Sequence, residues 1–173
     1  MNSKPLVRTL IILILLCSNI GCDQFSKSII RQHFSDNQQV SYINNHLTFT
    51  RVENAGAFLS VGHTLPRPFK LILLAVIPLL VLGFGVLYIL TRRNLALTTV
   101  LGICFMVGGG LGNIYDRIIY GSVTDFLHID FVLFQTGVFN LADVSIMVGL
   151  FMVIVETYGG RWRSTDDVPG YPG

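Results

Sequence analysis

The 173-residue chain is 51% hydrophobic and only 13% charged, with a mean hydropathy of +0.62. Soluble domains usually carry about 25% charged residues, and here the shortfall lies in long apolar blocks, which indicates an integral membrane protein of one domain. A formal charge of +2 is too small to argue for a nucleic-acid partner, and none is expected; the three cysteines, at 17, 22 and 104, fit neither a metal-ligand spacing nor a disulfide framework.

Four spans are predicted in chain order, each near the roughly 20 residues needed to cross about 30 Å of hydrocarbon. The first covers about 6–26, and only Arg8, Thr9, Ser18 and Asn19 interrupt its apolar run before Cys22. Its basic start and small residues are also those of a signal peptide, but three further spans follow, so a retained helix is expected. An extramembrane β segment at about 36–64 comes next. "QVSYINNHLTFTRV" alternates around Asn44-Asn45 as a hairpin, with Leu47, Phe49 and Arg51 on one face and Thr48, Thr50 and Val52 on the other. "ENAGAFLSVG" then reads as a small-residue turn and a short apolar strand.

The second span, about 69–91, contains Pro78, which membrane helices tolerate. The charged hairpin Thr91-Arg92-Arg93-Asn94 leads into the third, about 95–113. Ile118 to Gly137, with "TDFLHIDFVLF", reads as an interfacial segment. The fourth span, about 138–157, carries the sequence "GVFNLADVSIMVGLFMVIVETY", and the tail from about 160 to 173 reads as disordered. The expected fold class is therefore an all-α membrane protein with a small extramembrane β element: four transmembrane helices and a short periplasmic sheet.

With four spans both termini share a side. Lys4, Arg8, Arg92, Arg93, Arg161 and Arg163 fall in short flanks on that side, which the positive-inside rule makes cytoplasmic. Polar residues of three spans then collect near the outer face: Asp23 and Lys27, Asn113 and Asp116, Asn140 and Asp143. The last two pairs are each three residues apart and share a helix face. Asp143 is the notable one, because a carboxylate near the bilayer centre costs roughly 2.5–3.5 kcal/mol. Rise per residue puts it roughly 8 Å below the outer end of its span.

Two carboxylates sharing one proton can activate a water, one as base and one as acid. Asp143 is the natural first member, and spacing leaves Asp116 and Asp125 competing for second place, with Asp23 and Asp130 behind them. Each has a plainer reading. Asp143 could be a helix-dipole partner, Asp23 and Lys27 an i,i+4 ion pair, and Asp116 a charged interfacial anchor. The glycines at 108–110 and 112 read as a close-packing helix surface rather than a dinucleotide loop, since no strand precedes them. The scattered histidines contain no H-E-x-x-H, and Ser122 lies in no nucleophile elbow.

The blocks "DQFSK" (23–27), "NAGAF" (54–58), "GGGLGNIYDR" (108–117), "VTDF" (123–126) and "FNLAD" (139–143), in this order on a four-span chain, resemble the lipoprotein signal peptidase family, signal peptidase II. That resemblance implies a bacterial inner-membrane aspartyl protease with Asp125 and Asp143 as its catalytic pair. It also implies substrate contacts from Asn54 and Gly56, a lining of Asn113, Arg117 and Asn140, and support from Asp23, Lys27 and Asp116. One departure is that Phe58 follows Ala57 directly, where the family usually has a second Ala. The implied substrates are diacylglyceryl-modified prolipoproteins, cut before the lipid-bearing Cys by a monomer among membrane lipid, with no metal or cofactor. The alternatives are a small transporter or channel with a polar path through Asp143 and Arg117, a presenilin-like protease suggested by Tyr115-Asp116, or a non-catalytic membrane protein.

Overall fold

The computed structural model describes residues 3–36, 38–56, 66–131 and 133–165. Helix α1 (Ser3–His33) is followed by strands β1 (Gln39–Tyr42) and β2 (Leu47–Asn54). Helix α2 (Arg67–Leu71) runs through a π-helical turn (Ile72–Val76) into α3 (Ile77–Thr91), and then come α4 (Leu97–Ile119), strand β3 (Val123–Ile129) and α5 (Leu141–Thr165). Four stretches are long and apolar enough to cross a membrane: Leu6–His33, Pro68–Thr91, Leu97–Ile119 and Leu141–Gly159.

The spans fall where hydrophobicity puts them, but their ends move. The polar residues at 23–27 do not end α1, because Lys27 and Arg31 find carboxylate partners on α4 and the helix continues to His33. Residues 138 and 139 are not helical: Phe139 pairs with Leu127 through two backbone hydrogen bonds of 2.8 Å, and its carbonyl also accepts the Phe126 N–H at 2.9 Å, so α5 starts at Leu141. Its helical conformation lasts to Thr165, so the expected disorder from about 160 gives way to helix over that stretch, and 166–173 lie outside the described residues. Inside the second span, Pro78 has no N–H and its ring excludes the carbonyl four residues before it. The preceding turn widens, and the Ile77 N–H donates to the Ile72 carbonyl.

Helix α4 is the central post, packing against α1, α3 and α5. Ile12 and Leu16 of α1, Ile89 of α3, and Val100, Cys104 and Val107 of α4 form one buried cluster. The outward residues, among them Leu80, Phe84, Met147 and Phe151, are exposed and apolar, as a lipid-facing surface requires. Close approach of α4 to its neighbours depends on its glycines, as the sequence suggests. A Cβ on Gly112 would come within 2.5 Å of an Asp23 carboxylate oxygen, and one on Gly109 would collide with the Ala142 carbonyl.

The sheet has the order β1-β2-β3, antiparallel throughout. The hairpin appears where Asn44-Asn45 predicts it, with Ile43, Asn44 and Asn45 all at positive φ. Ser41 Oγ and Thr48 Oγ1 bond across it at 2.9 Å, and Tyr42 meets Phe49 edge to face. Strand β3 replaces the expected interfacial segment. Val123, Thr124, Asp125 and Phe126 are all buried, so the two-residue alternation that marks a half-buried strand is absent from its sequence. Between Phe49 and Val52 the register slips by one residue, a β-bulge that ends the simple facing pattern predicted for β2. The apolar strand expected beyond the small-residue turn, and Phe58 with it, lie outside the described residues.

Gly109→Ala should lower stability by about 1–3 kcal/mol, because backbone must move to admit the methyl group. Gly83→Ala, whose new methyl would meet nothing within 4 Å, should instead gain up to about 1 kcal/mol from helix propensity. Thermal unfolding of both variants in detergent gives the two signs side by side.

Candidate active site

The polar residues of three helices meet around one buried ammonium. Lys27 Nζ lies 2.8 Å from Asp23 Oδ2 and 2.9 Å from Asp116 Oδ2, and donates to Asn113 Oδ1 at 2.8 Å. Lys27, Asp23 and Asp116 are wholly buried. The second oxygens of both carboxylates are also used. Asp23 Oδ1 accepts the Ala142 N–H at 3.0 Å, satisfying one of the free donors in the first turn of α5. Asp116 Oδ1 is 2.8 Å from Arg31, whose guanidinium also stacks on Tyr120 at 4.0 Å and donates to Thr124 Oγ1 at 2.8 Å. Gln24 donates to Asp23, Asp116 and the Gly112 carbonyl. The i,i+4 pairing of Asp23 with Lys27 is therefore present, but as part of a three-element network. Asp116 is held by two cations, not left as a surface anchor.

Asp143 lies in the first turn of α5, nearer the helix start than the depth predicted from a span beginning at 138. It forms a reciprocal cap with Asn140: the Asp143 N–H donates to Asn140 Oδ1 at 3.0 Å, and the Asn140 N–H donates to Asp143 Oδ2 at 3.2 Å. The dipole reading of Asp143 is thus correct as geometry, yet its other oxygen does something else. Asp143 Oδ1 accepts from Asn113 Nδ2 at 2.9 Å. Lys27, a donor only, must face the Asn113 oxygen, and this turns the amide nitrogen toward Asp143.

Asp125 arrives from the sheet. Asn140 Nδ2 donates to Asp125 Oδ1 at 2.6 Å and to Asn113 Oδ1 at 3.2 Å, so one asparagine touches both carboxylates, by side chain on Asp125 and by backbone on Asp143. Asn54 Nδ2 donates to Asp125 Oδ2 at 3.1 Å. The bulge makes this contact possible. Val52 pairs with Asp125 and Asn54 with Val123, so Asn54 and Asp125 share a face. Continuing the register of Phe49 with Leu127 would put Glu53 there instead. The Asn54 oxygen accepts the Gly56 N–H at 3.0 Å, and the Gly56 carbonyl accepts from Arg117 Nη2 at 3.2 Å. Burial pushes the Asp125 carboxyl up to about 6, and the nearby Asp143 charge adds to the rise, against the opposing hydrogen bonds from Asn54 and Asn140.

A sequence-family comparison carries the decision. The model of the family described as signal peptidase (SPase) II matches residues 12–158. The chain belongs to the signal peptidase II family. It is 32% identical over 155 residues to a lipoprotein signal peptidase of Streptococcus pneumoniae, covering 90% of this chain and 94% of that relative. It is also 30% identical over 164 residues to the lipoprotein signal peptidase of Streptococcus pyogenes serotype M5, covering 92% and 99%. Two bacterial membrane enzyme structures obtained by the in meso method share its fold. One has a TM-score of 0.78 at 21% identity over 94% of both chains; the other has 0.75 at 24% identity over 84% of this chain and 91% of that one.

In this peptidase the site residues that the family resemblance implies all lie in one connected network. Asp130 is away at the far end of β3, where it bridges to Gln135. Arg117 points into the cluster with its Nε buried and without a hydrogen-bond partner among the described residues. Sequence reasoning passed over Gln24, Arg31 and Thr124, which tie α1 to α4 and to the sheet. Gln24 lies inside the Asp23–Lys27 block and Arg31 four residues beyond it, and Arg31's spacing from Lys27 was the available signal.

Lys27→Met strands Asp23 and Asp116 without their shared ammonium and should cost about 3–5 kcal/mol. Unfolding followed by heat in detergent would measure it. Wild-type stability in this variant would mean that the pair is not buried as described.

Proposed function

We propose that this protein is a membrane aspartyl endopeptidase that removes signal peptides from diacylglyceryl-modified bacterial prolipoproteins, cutting before the lipid-modified Cys, with Asp125 and Asp143 as its catalytic pair. The observation that carries this is the asparagine between the two acids: Asn140 bonds to Asp125 through its side chain and to Asp143 through its backbone. Both oxygens of Asp116 face cations, Lys27 and Arg31, which supports Asp125 as the partner of Asp143.

The chemistry follows from the surroundings of each acid. Asp143 accepts two N–H groups in the first turn of a helix, where negative charge is favoured; it acts as the base. Asp125, held at about 6, carries the shared proton and acts as the acid. Asp143 takes a proton from a water whose oxygen bonds to the scissile carbonyl carbon, and the C=O electron pair moves to oxygen. Collapse of that intermediate breaks the C–N bond as Asp125 gives its proton to the departing amine. Arg117, whose Nε has no hydrogen-bond partner among the described residues, and the Asn54–Gly56 turn would hold the peptide. Asn113 orients Asp143, while Asp23, Lys27 and Asp116 support it.

The remaining assignments rest on charge distribution. Basic flanks at both termini and in the Arg92-Arg93 hairpin support cytoplasmic termini in the bacterial inner membrane, with the acids near the outer face. There the scissile bond of a lipid-anchored precursor meets the headgroup layer. The reading is of a monomer whose partners are its precursors and the surrounding lipid.

Asp125→Asn and Asp143→Asn should each lower kcat on a diacylated precursor by about 10²–10⁴-fold or more, while Asp116→Asn acts chiefly on stability. Undiminished cleavage by either of the first two would reject the pair. The pH profile gives a separate check. Because Asp125 must hold its proton, kcat/KM should fall as pH rises through about 6. Asn54 donates to the charged form, so Asn54→Ala should move that limb to higher pH.

A further inference from the structure

At the other end of the bundle, about 28 Å along α1 from Lys27 at 1.5 Å per residue, α1 and the start of α4 line a slot of about 470 Å³. That is within the roughly 300–1,000 Å³ typical of small-molecule sites. Its walls are aliphatic, with Val7 and Ile11 from α1 and Leu97 and Leu101 from α4, and its charged lining residues are Arg8 and Arg93, with no carboxylate. Val7 is 50% exposed and Leu97 69%, so the slot opens sideways to where the lipid lies.

The two arginines are differently held. Arg8 Nη2 donates to the Ile89 carbonyl at 3.0 Å and the Arg92 carbonyl at 2.8 Å, closing the C-terminal end of α3. This fixes the guanidinium at the mouth while using one nitrogen of a group with five donors. Arg93 forms no hydrogen bond or ion pair among the described residues. A cationic rim on an aliphatic slot matches a molecule with an anionic head and a hydrocarbon tail. A soluble anion would use only the rim, and a zwitterionic lipid brings its own cation to it.

We propose that this slot binds one anionic glycerophospholipid, its phosphate against Arg8 and Arg93 and an acyl chain along Ile11 and Leu101. Basic pockets between membrane helices recognise such headgroups by this charge complementarity. The bound lipid bridges α1 to the α3–α4 hairpin. None of this depends on the peptidase chemistry at the opposite end, so either proposal can fail alone.

The full-length protein in detergent, titrated with phosphatidylglycerol, with phosphatidylcholine of the same chains, or with glycerol phosphate, and read by native mass spectrometry, tests this directly. Phosphatidylglycerol should bind in preference to phosphatidylcholine, and glycerol phosphate should not bind measurably. Arg93→Gln should weaken the phosphatidylglycerol adduct about fivefold, the equivalent of about 1 kcal/mol for one arginine at the membrane surface, and leave phosphatidylcholine unchanged. Leu101→Trp, or the exposed Leu97→Trp if the first does not fold, should block the slot and remove the adduct. Equal binding of the two lipids, indifference to Arg93→Gln, an adduct that survives the tryptophan, or a second copy of the chain in place of lipid would each overturn the proposal.

Discussion

A buried lysine ammonium held by three oxygens is the contact on which the polar end of this molecule depends. In a membrane-spanning bundle an uncompensated charge is costly, and every buried polar group must find its partner inside the protein. Lys27 takes Asp23 from its own helix and Asp116 and Asn113 from α4. Each partner then has a free atom to spend elsewhere. Asp23 reaches the backbone of α5, Asp116 reaches Arg31 and, at 3.4 Å, the Thr124 N–H of β3, and Asn113 reaches Asp143. Three helices and the sheet are thereby locked to one point.

Between that point and the sheet lie Asp125 and Asp143. One rides on the start of a helix and the other on a buried strand, so neither element alone creates the site. Asn140 is the joint, since it caps α5 and its side chain spans Asp125 and Asn113. Rigid elements on both sides hold the acids in place, the preorganisation that the proposed catalysis requires. Burial that raises the Asp125 pKa to about 6 comes from the same packing.

The bundle is polar at one end and almost entirely apolar along its remaining length. The carboxylates, amides and Arg117 gather where the sheet meets the helices, while the buried cluster of Ile12, Leu16, Ile89, Val100, Cys104 and Val107 fills the other half. A conduction path would need polar groups along its length, which this distribution does not supply. The glycines of α4 serve the same division, by letting α1 and α5 approach closely enough for Asp23 to reach the Ala142 N–H.

Much of this was legible in the residues themselves. Hydrophobic runs determine the four spans because crossing hydrocarbon is a matter of length and polarity, and Asn44-Asn45 determines a hairpin because it tolerates positive φ. The five sequence blocks named the family and, through it, Asp125. Spacing alone left Asp116 in contention, since an acid held by two cations and one held by two asparagines look alike in a string of letters. Three features were decided only in three dimensions: the start of α5 at Leu141, the strand at Val123–Ile129, and the bulge that sets Asn54 rather than Glu53 beside Asp125. Each depends on backbone hydrogen bonds or register between segments far apart in the chain, and pairing of that kind leaves no periodicity in either segment to read.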